Sequence, residues 1–408
     1  MNLKIFIISS LYNDYIINCY KKNSFLKNSS FDDHLNFIKK DSSEMVPTYT
    51  KTLAGLGVNT FCVFDNDLIL LKKWCKENKI AFKNSKEAIS KQIQWQNPDV
   101  LWIDDVNYLD KDWIDNIRSK VPSIKVVFAN HCAPYTDRIV EGLKGLDFVI
   151  TCTSGLKLDF ENRGIKTYLV YHAFDALILN QLSTAISSPR IRFVFLGSLF
   201  TGSGYHKQRI ELIEEILMRD IDLTIYGNVE STCKIRSKQV FYYTYKLFNT
   251  FGLGNILSKL SIFRKYENYG KSPIKKYSKH LKKSLLKPVF GIDMYNILKS
   301  SDIVLNTHGE VAGNYAGNVR LFEATGIGCC LLTDEKANMK DLFVSNKEVV
   351  TYTNSEDCIN KAKWLLENES ERKRIAQAGQ NRTLTTHNVE SRCMQIIEII
   401  TTELDLKD

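Results

Sequence analysis

No run of eighteen or more apolar residues occurs in this chain, so no membrane-spanning helix is expected. The first ten residues, Met1-Asn-Leu-Lys-Ile-Phe-Ile-Ile-Ser-Ser10, have an apolar core too short for a secretory signal and no small-residue cleavage site. They read instead as the opening strand of a parallel sheet. Ten cysteines are present, but none forms a Cys-x-x-Cys pair, and several fall in apolar strand-like runs. That pattern predicts reduced, mostly buried thiols in a cytoplasmic protein and excludes a disulfide framework. The seven histidines are dispersed and none has metal-ligand spacing, so neither a metal nor another cofactor is expected. Acid is nearly missing from residues 231–291, where fourteen Lys or Arg face the single Glu267. The body of the chain is therefore mildly acidic and carries one basic insert, 231–290. No internal repeat of 20–50 residues was found, which excludes solenoids and propellers.

What is present is alternation. Apolar strand-like segments at 4–9, 59–64, 100–103, 125–129, 148–151 and 167–171 are separated by charged helical stretches such as 66–78, 86–94 and 113–120. Strand, helix, strand at this rhythm predicts a doubly wound domain over residues 1–180. Residues 11–44 are polar and aromatic, too long for a plain loop, and are expected to hold helices. A Ser-rich linker at 180–189 precedes a second alternating set, with strands at 192–197, 223–226, 303–306, 329–333 and 349–352. The fold class is therefore α/β. The second domain is expected over 190–388, and a last helix at 389–404 lies within the closing segment 389–408. At 408 residues the chain is comfortable for two cores.

One string concentrates the chemistry: Gly317-Asn-Val-Arg-Leu-Phe-Glu-Ala-Thr-Gly-Ile-Gly-Cys-Cys-Leu-Leu-Thr-Asp334. It reads as a helix at about 318–325, a two-glycine turn at Gly326 and Gly328, and a buried strand at 329–333. Arg320 and Glu323, three apart, project from one helical face. Such a pair is usually a solvated surface contact. At the carboxyl edge of a parallel sheet it would also suit a ligand with hydroxyls and phosphate, as in a nucleotide-sugar. Two further stretches fit that reading. Phe195-Leu-Gly-Ser-Leu-Phe-Thr-Gly-Ser-Gly204 joins a strand to a helix, so its backbone N–H groups and the helix N-terminus suit phosphate, with Gly197, Ser198 and Arg209 the best candidates. His308-Gly-Glu-Val-Ala-Gly-Asn-Tyr-Ala-Gly-Asn318 adds Gly317, Asn318 and Glu310. Base candidates lie at the strand ends of the first domain: Asp104, Asp105 and His131, with His172 near the hinge. Asp65-Asn-Asp67 has the bare Asp-x-Asp form but begins a helix and reads as its cap.

The string Arg-x-Phe-Glu-Ala-x-Gly-x-Gly before an apolar strand and Thr-Asp resembles the donor segment of GT-B glycosyltransferases of group 1, most closely the spore-maturation (CgeB-like) branch. The stretch from Val289 to Asn306, Glu348-Val-Val-Thr-Tyr352 and Ile375-Ala-Gln-Ala-Gly-Gln-Asn-Arg-Thr383 are similar to the same group. The resemblance runs from about residue 190 to the C-terminus, with a gap at 230–288. It implies two Rossmann-like domains facing across a cleft, with the acceptor on the N-terminal side and the last helix packing back on that domain. It also implies a nucleotide-sugar donor with Glu323 at the ribose and Arg320 and Arg209 at the diphosphate. The acceptor would be a surface glycan or lipid-linked oligosaccharide. Retaining relatives often have a glutamate eight positions before this one; here that position is Tyr315, which leaves retention or inversion open. The basic insert, with Lys275, Lys276, Lys279, Lys282, Lys283 and Lys287, is expected to lie on an anionic membrane surface at about 1 kcal/mol per cation, making the protein peripheral to it. No nucleic-acid module is visible around it. An epimerase acting on the nucleotide-sugar and a non-catalytic sugar- or nucleotide-binding protein are the rival readings.

Overall fold

The computed structural model describes residues 3–42, 44–182, 190–201, 206–252, 274–309 and 313–407. Glu310, Gly202 to Gly204, most of the expected linker and the middle of the basic insert lie outside them. Two six-stranded parallel sheets organise the chain. The first contains β1 (Lys4–Ser9), β2 (Asn59–Phe64), β3 (Val100–Ile103), β4 (Val126–Asn130), β5 (Phe148–Thr151) and β6 (Thr167–Leu169), in the order β2-β1-β3-β4-β5-β6. The second contains β7 (Ile191–Leu196), β8 (Thr224–Tyr226), β9 (Leu285–Leu286), β10 (Ser301–Leu305), β11 (Cys330–Asp334) and β12 (Val350–Tyr352), ordered β12-β11-β10-β7-β8-β9. The protein is thus α/β with two doubly wound halves.

The strands read so clearly in the sequence because both faces of each sheet are covered by helices. β3, β5 and most of β1 and β4 are buried at successive residues, which demands continuous apolar runs rather than alternation. Helices between them begin at polar caps: Asn84 accepts from the N–H of Glu87 at 2.9 Å and Asp67 from that of Leu70 at 3.0 Å. Each such cap contributes about 1 kcal/mol. Residues 11–44 form the helices Asn13–Lys22 and Phe31–Asp41 with a short 3-10 turn between them. Strand β9 was hidden in the sequence because two leucines after a lysine-rich helix carry no period.

Two details of the 317–334 string differ from the sequence reading. The helix runs over Arg320–Ile327, so Gly326 lies inside it and only Gly328 turns the chain, at φ +88°. Gly326 is required for another reason: a Cβ there would lie 2.3 Å from the ring of Phe174. Phe174 is the pin of the hinge, its N–H donating to His387 at 2.9 Å and its carbonyl accepting from Val389 at 3.2 Å. The chain then returns to the first half. The helix Val389–Asp405 buries Val389, Cys393, Ile396 and Ile400 in one cluster with Leu53 and Trp102.

In each sheet the strand order reverses once. In the first it reverses between β1 and β3, in the second between β7 and β10. Crevices at the carboxyl ends of such strands are where open α/β sheets take ligands.

Candidate functional site

The second crevice is closed by Arg209. Its guanidinium donates to the Ser198 carbonyl at 3.1 Å and to the Thr307 carbonyl at 2.9 Å, tying the end of β7 to the end of β10. Phe195 lies beneath it, 5.8 Å from ring centroid to guanidinium. The turn after β7 is held tightly from the other side. Gly197 donates to Tyr226 at 3.0 Å, and a Cβ on Gly227 would sit 2.2 Å from the Gly197 carbonyl. Thr201 donates through both N–H (3.0 Å) and hydroxyl (2.6 Å) to Glu230, which is also ion-paired with buried Lys238. One cation of the basic insert is therefore an internal brace and not part of a solvated face.

Beyond β10 a polar chain leads into the helix Arg320–Ile327. His308 is completely buried and its Nδ1 lies 2.7 Å from Asp334. With Nδ1–H donating there, Nε2 accepts the N–H of Gly317 at 3.4 Å. Burial alone would raise the Asp334 carboxyl, but His308 and Lys336 hold it below the usual range. Asn318 donates to Asn306 at 2.7 Å, and Asn306 donates to Thr333 at 2.9 Å. This network fixes Gly317 and Asn318 just before the helix.

Arg320 and Glu323 are not a surface contact. Their side chains are 16% and 7% exposed and form an ion pair of 2.8 Å. Glu323 Oε2 is the oxygen engaged in that ion pair, while Arg320 Nε has no hydrogen-bond partner of acceptable geometry among the described residues. Leaving a buried N–H such as that of Arg320 Nε unpaired costs about 1–3 kcal/mol, a cost a ligand would relieve. Neighbouring Tyr295 has its phenol driven well above its ordinary value, by burial first and then by the Glu323 carboxylate.

Facing this pair is the first crevice. Ser9 at the end of β1 donates to Asp104 at the end of β3 over 2.8 Å, and Asn130 at the end of β4 donates to the same carboxylate at 2.9 Å. Burial pushes the Asp104 carboxyl up. Glu44, before the helix Met45–Gly55, accepts the N–H of Tyr12 at 3.0 Å. Burial, and then Asp104, raise Glu44 to about 7 against the opposing hydrogen bond from Tyr12. The sequence reading missed Glu44 because it ends a polar stretch far in sequence from its neighbours. An acid preceding an apolar helix reads simply as its start.

The predicted base candidates separate. Asp105 is 6% exposed and caps the turn Val106–Tyr108, accepting from Asn107 at 2.9 Å and from the Ser10 hydroxyl. His131 is 4% exposed with its ring 6.3 Å from Tyr135 and 6.0 Å from Phe160, and burial lowers its pKa. His172 does reach the opposing half. Burial on its own would lower His172, yet the Cys132 thiol and the carboxylates of Glu323 and Asp104 raise it. The halves also touch nearby: a Cβ on Gly317 would lie 2.5 Å from the Cys152 carbonyl, and one on Gly155 would lie 2.4 Å from the Tyr315 ring. Tyr315, where a first glutamate would stand, is thus part of the contact between halves.

Comparison with known proteins agrees with this fold. Residues 177–398 match the model of the family described as glycosyl transferase-like. Among solved structures, Anabaena HepE in complex with UDP-glucose is similar at a TM-score of 0.57 and 12% identity, over 98% of this chain and 100% of that one. A glycosyltransferase from Rickettsia africae ESF-5 gives 0.55 at 12% identity, over 99% of each chain. Sucrose-phosphate synthase from Thermosynechococcus elongatus gives 0.53 at 10% identity, over 99% of this chain and 100% of that one. At such identities the likeness is one of fold, and the fold is GT-B. None of the curated proteins matches the sequence significantly.

Proposed function

The chain belongs to the glycosyl transferase-like family, and from that premise we propose that it moves a sugar from a nucleotide-sugar donor to a glycan or lipid-linked oligosaccharide, as the CgeB-like resemblance implies. The observation that carries this reading is the buried Arg320–Glu323 pair, whose Arg320 Nε lacks a hydrogen-bond partner among the described residues. Glu323 would accept from the ribose diol, and Arg320 would neutralise the diphosphate as it leaves. The turn after β7, with Gly197 and Ser198, and the loop at Gly317 and Asn318 would line the same donor. Arg209 would act mainly by holding the two strand ends in register, since its guanidinium already donates to two carbonyls. The similar HepE structure holds UDP-glucose, which supports a nucleotide-sugar as the donor class.

Glu44 is the base we assign on the acceptor side. A carboxylate titrating near neutrality can take a proton from an attacking hydroxyl and still be half ionised at working pH. The acceptor's lipid attachment is supported by the helix Thr232–Thr250. Val240, Tyr243, Leu247 and Phe251 form an exposed apolar stripe along it and its C-cap, inside the lysine-rich segment. Such a stripe among cations suits an anionic membrane face. No helix among the described residues is long and apolar enough to cross a membrane.

The test is thermal stability across a panel of nucleoside diphosphates, followed by turnover of the matching nucleotide-sugars with and without a cell-derived lipid acceptor. A stabilising nucleotide whose effect is lost in Glu323→Ala, and acceptor-dependent release of nucleoside diphosphate, are expected. No shift with any nucleotide would remove the donor site. Conversion of the donor sugar without acceptor would make the protein an epimerase.

A further inference from the structure

Three parallel strands side by side, β4, β5 and β6, each end in a soft or borderline metal ligand. Cys132 stands two residues past β4, Cys152 one past β5 and His172 three past β6. The three are spaced twenty residues apart each time, one strand–helix repeat, so no short motif betrays them in the sequence. In the fold, their ligand atoms all lie within 4.8 Å of one another. Cys152 is buried, whereas Cys132 and His172 are half-buried. We propose that Cys132, Cys152 and His172 bind a thiophilic divalent cation, zinc by preference, at the carboxyl edge of the first sheet.

The donor set is the one zinc favours: two thiolates and an imidazole, with the fourth position open. Bond lengths near 2.3 Å to sulfur and 2.0–2.1 Å to nitrogen put tetrahedral ligand atoms roughly 3.5–3.8 Å apart. From 4.8 Å the cluster therefore has to contract by roughly 1.0–1.3 Å at most, within the reach of side-chain rotation at the ends of Cys and His. Binding converts both thiols to thiolates and releases their two protons. The two new charges cancel those of the cation, so the site stays neutral within the protein. The Cys132 thiol already contacts both Cys152 and His172, and its longer contact to Asn130, at 3.5 Å, is one the metal bond replaces. A water or a sugar hydroxyl would complete the shell at the open position, and the Glu323 carboxylate is near enough to act on His172. The Cys152 carbonyl already meets the Gly317 loop of the opposite half, so a cation here would also stiffen the contact between halves. The inference does not depend on the glycosyl-transfer reading, since metal content is measured without turnover.

Full-length protein, reduced and equilibrated with micromolar zinc and then desalted, is analysed for bound metal. About one zinc per chain is expected, with at least two protons released on loading, those of the thiols and any held by the His172 imidazole. Cobalt loading in its place is expected to give a sulfur-to-metal charge-transfer band. Cys152→Ser and Cys132→Ser lose the stoichiometric metal and the band, while Cys233→Ser, at an exposed cysteine, keeps both. Circular dichroism confirms that each variant is folded, and His172→Gln provides a second route should either cysteine variant unfold. Zinc at background in the reduced wild type, or full retention in all three ligand variants, overturns the proposal. So does a Cys132–Cys152 disulfide that, once reduced, takes up no metal.

Discussion

The backbone N–H of Tyr12 donates to Oε1 of Glu44 at 3.0 Å, and the phenol of the same Tyr12 feels Glu323 and Arg320 across the cleft. Burial is the largest cause raising that phenol, although two-thirds of the residue's surface is accessible. The ring of Tyr12 lies 6.3 Å from that of Phe290 in the second half. Tyr12 thus stands between the carboxylate assigned to the acceptor and the ion pair assigned to the donor. It follows the end of β1, at the point where the first sheet reverses order. Both crevices therefore contribute to one cleft.

The first prediction concerns rate and pH. With Glu44 titrating at about 7 beside Tyr12 and Asp104, kcat/KM is expected to rise with pH and level above neutrality. Glu44→Gln should lower kcat about 10²–10⁴-fold and abolish that acidic limb, with little change in nucleotide affinity. A pH–rate profile with saturating donor measures both. An unaltered acidic limb in the variant would assign the proton transfer to another group.

The same carboxyl makes a separate prediction about stability. Its folded value, about 7, lies above the 4.5 of an unperturbed glutamate, so the native state keeps the proton longer. Its contribution is complete below about pH 4.5 and is lost as pH rises through about 7. Glu44→Gln cannot ionise, so it should be more stable than wild type at pH 8 by on the order of 1 kcal/mol, after allowance for solvent in the cleft. At pH 4.5 the two should coincide. Denaturant midpoints at both pH values decide; an equal gain at each would point to packing instead.

The strands were legible because burial on both faces leaves an unbroken apolar run, as in Val100–Ile103. Side-chain direction was not. His131 follows a strand at the ligand edge, yet its ring lies among Tyr135 and Phe160. Asp105 was read as a base, and in the fold it caps a turn. Gly326 read as a turn because Gly-x-Gly after a helix usually is one, whereas the requirement is a close approach to Phe174 more than 150 residues away. Glu44, Gly227 and the Cys132–Cys152–His172 grouping depend on neighbours brought together only by strand order. Arg320 and Glu323 stood out because both partners lie on one helical turn.

A third prediction tests the brace under the turn after β7. The side chains of Lys238 and Glu230 are 6% and 3% exposed. Burial lowers the Lys238 pKa, and the pair with Glu230 offsets this in part. Lys238→Met leaves a buried carboxylate, also held by Thr201, without its main counter-charge. A loss of about 3 kcal/mol in unfolding free energy is expected. Adding Glu230→Gln should recover part of it, and chemical denaturation of the single and double variants measures the coupling. Additive losses would mean the two side chains are independent.

The fourth prediction separates donor binding from the meeting of the two halves. Gly317 is buried against the first half, where a Cβ would lie 2.5 Å from both the Cys152 carbonyl and Thr153 Cγ2. A backbone carbonyl cannot move aside as a flexible side chain can, so Gly317→Ala must push the loop outward. Within its own half the loop is held by His308 and by the Asn306–Asn318 pair, neither of which the new methyl touches directly. Because the loop also lines the donor, nucleoside diphosphate affinity should weaken, but only by about tenfold, about 1.4 kcal/mol. Turnover should fall much further, on the order of 10²-fold, because a displacement near 1 Å between reacting groups has that effect. Calorimetry on the nucleotide and steady-state turnover on the nucleotide-sugar, run on the same preparation, give the two numbers. Equal losses in both would place Gly317 in donor binding alone, and wild-type turnover would mean that the halves separate at this contact before the sugar is transferred.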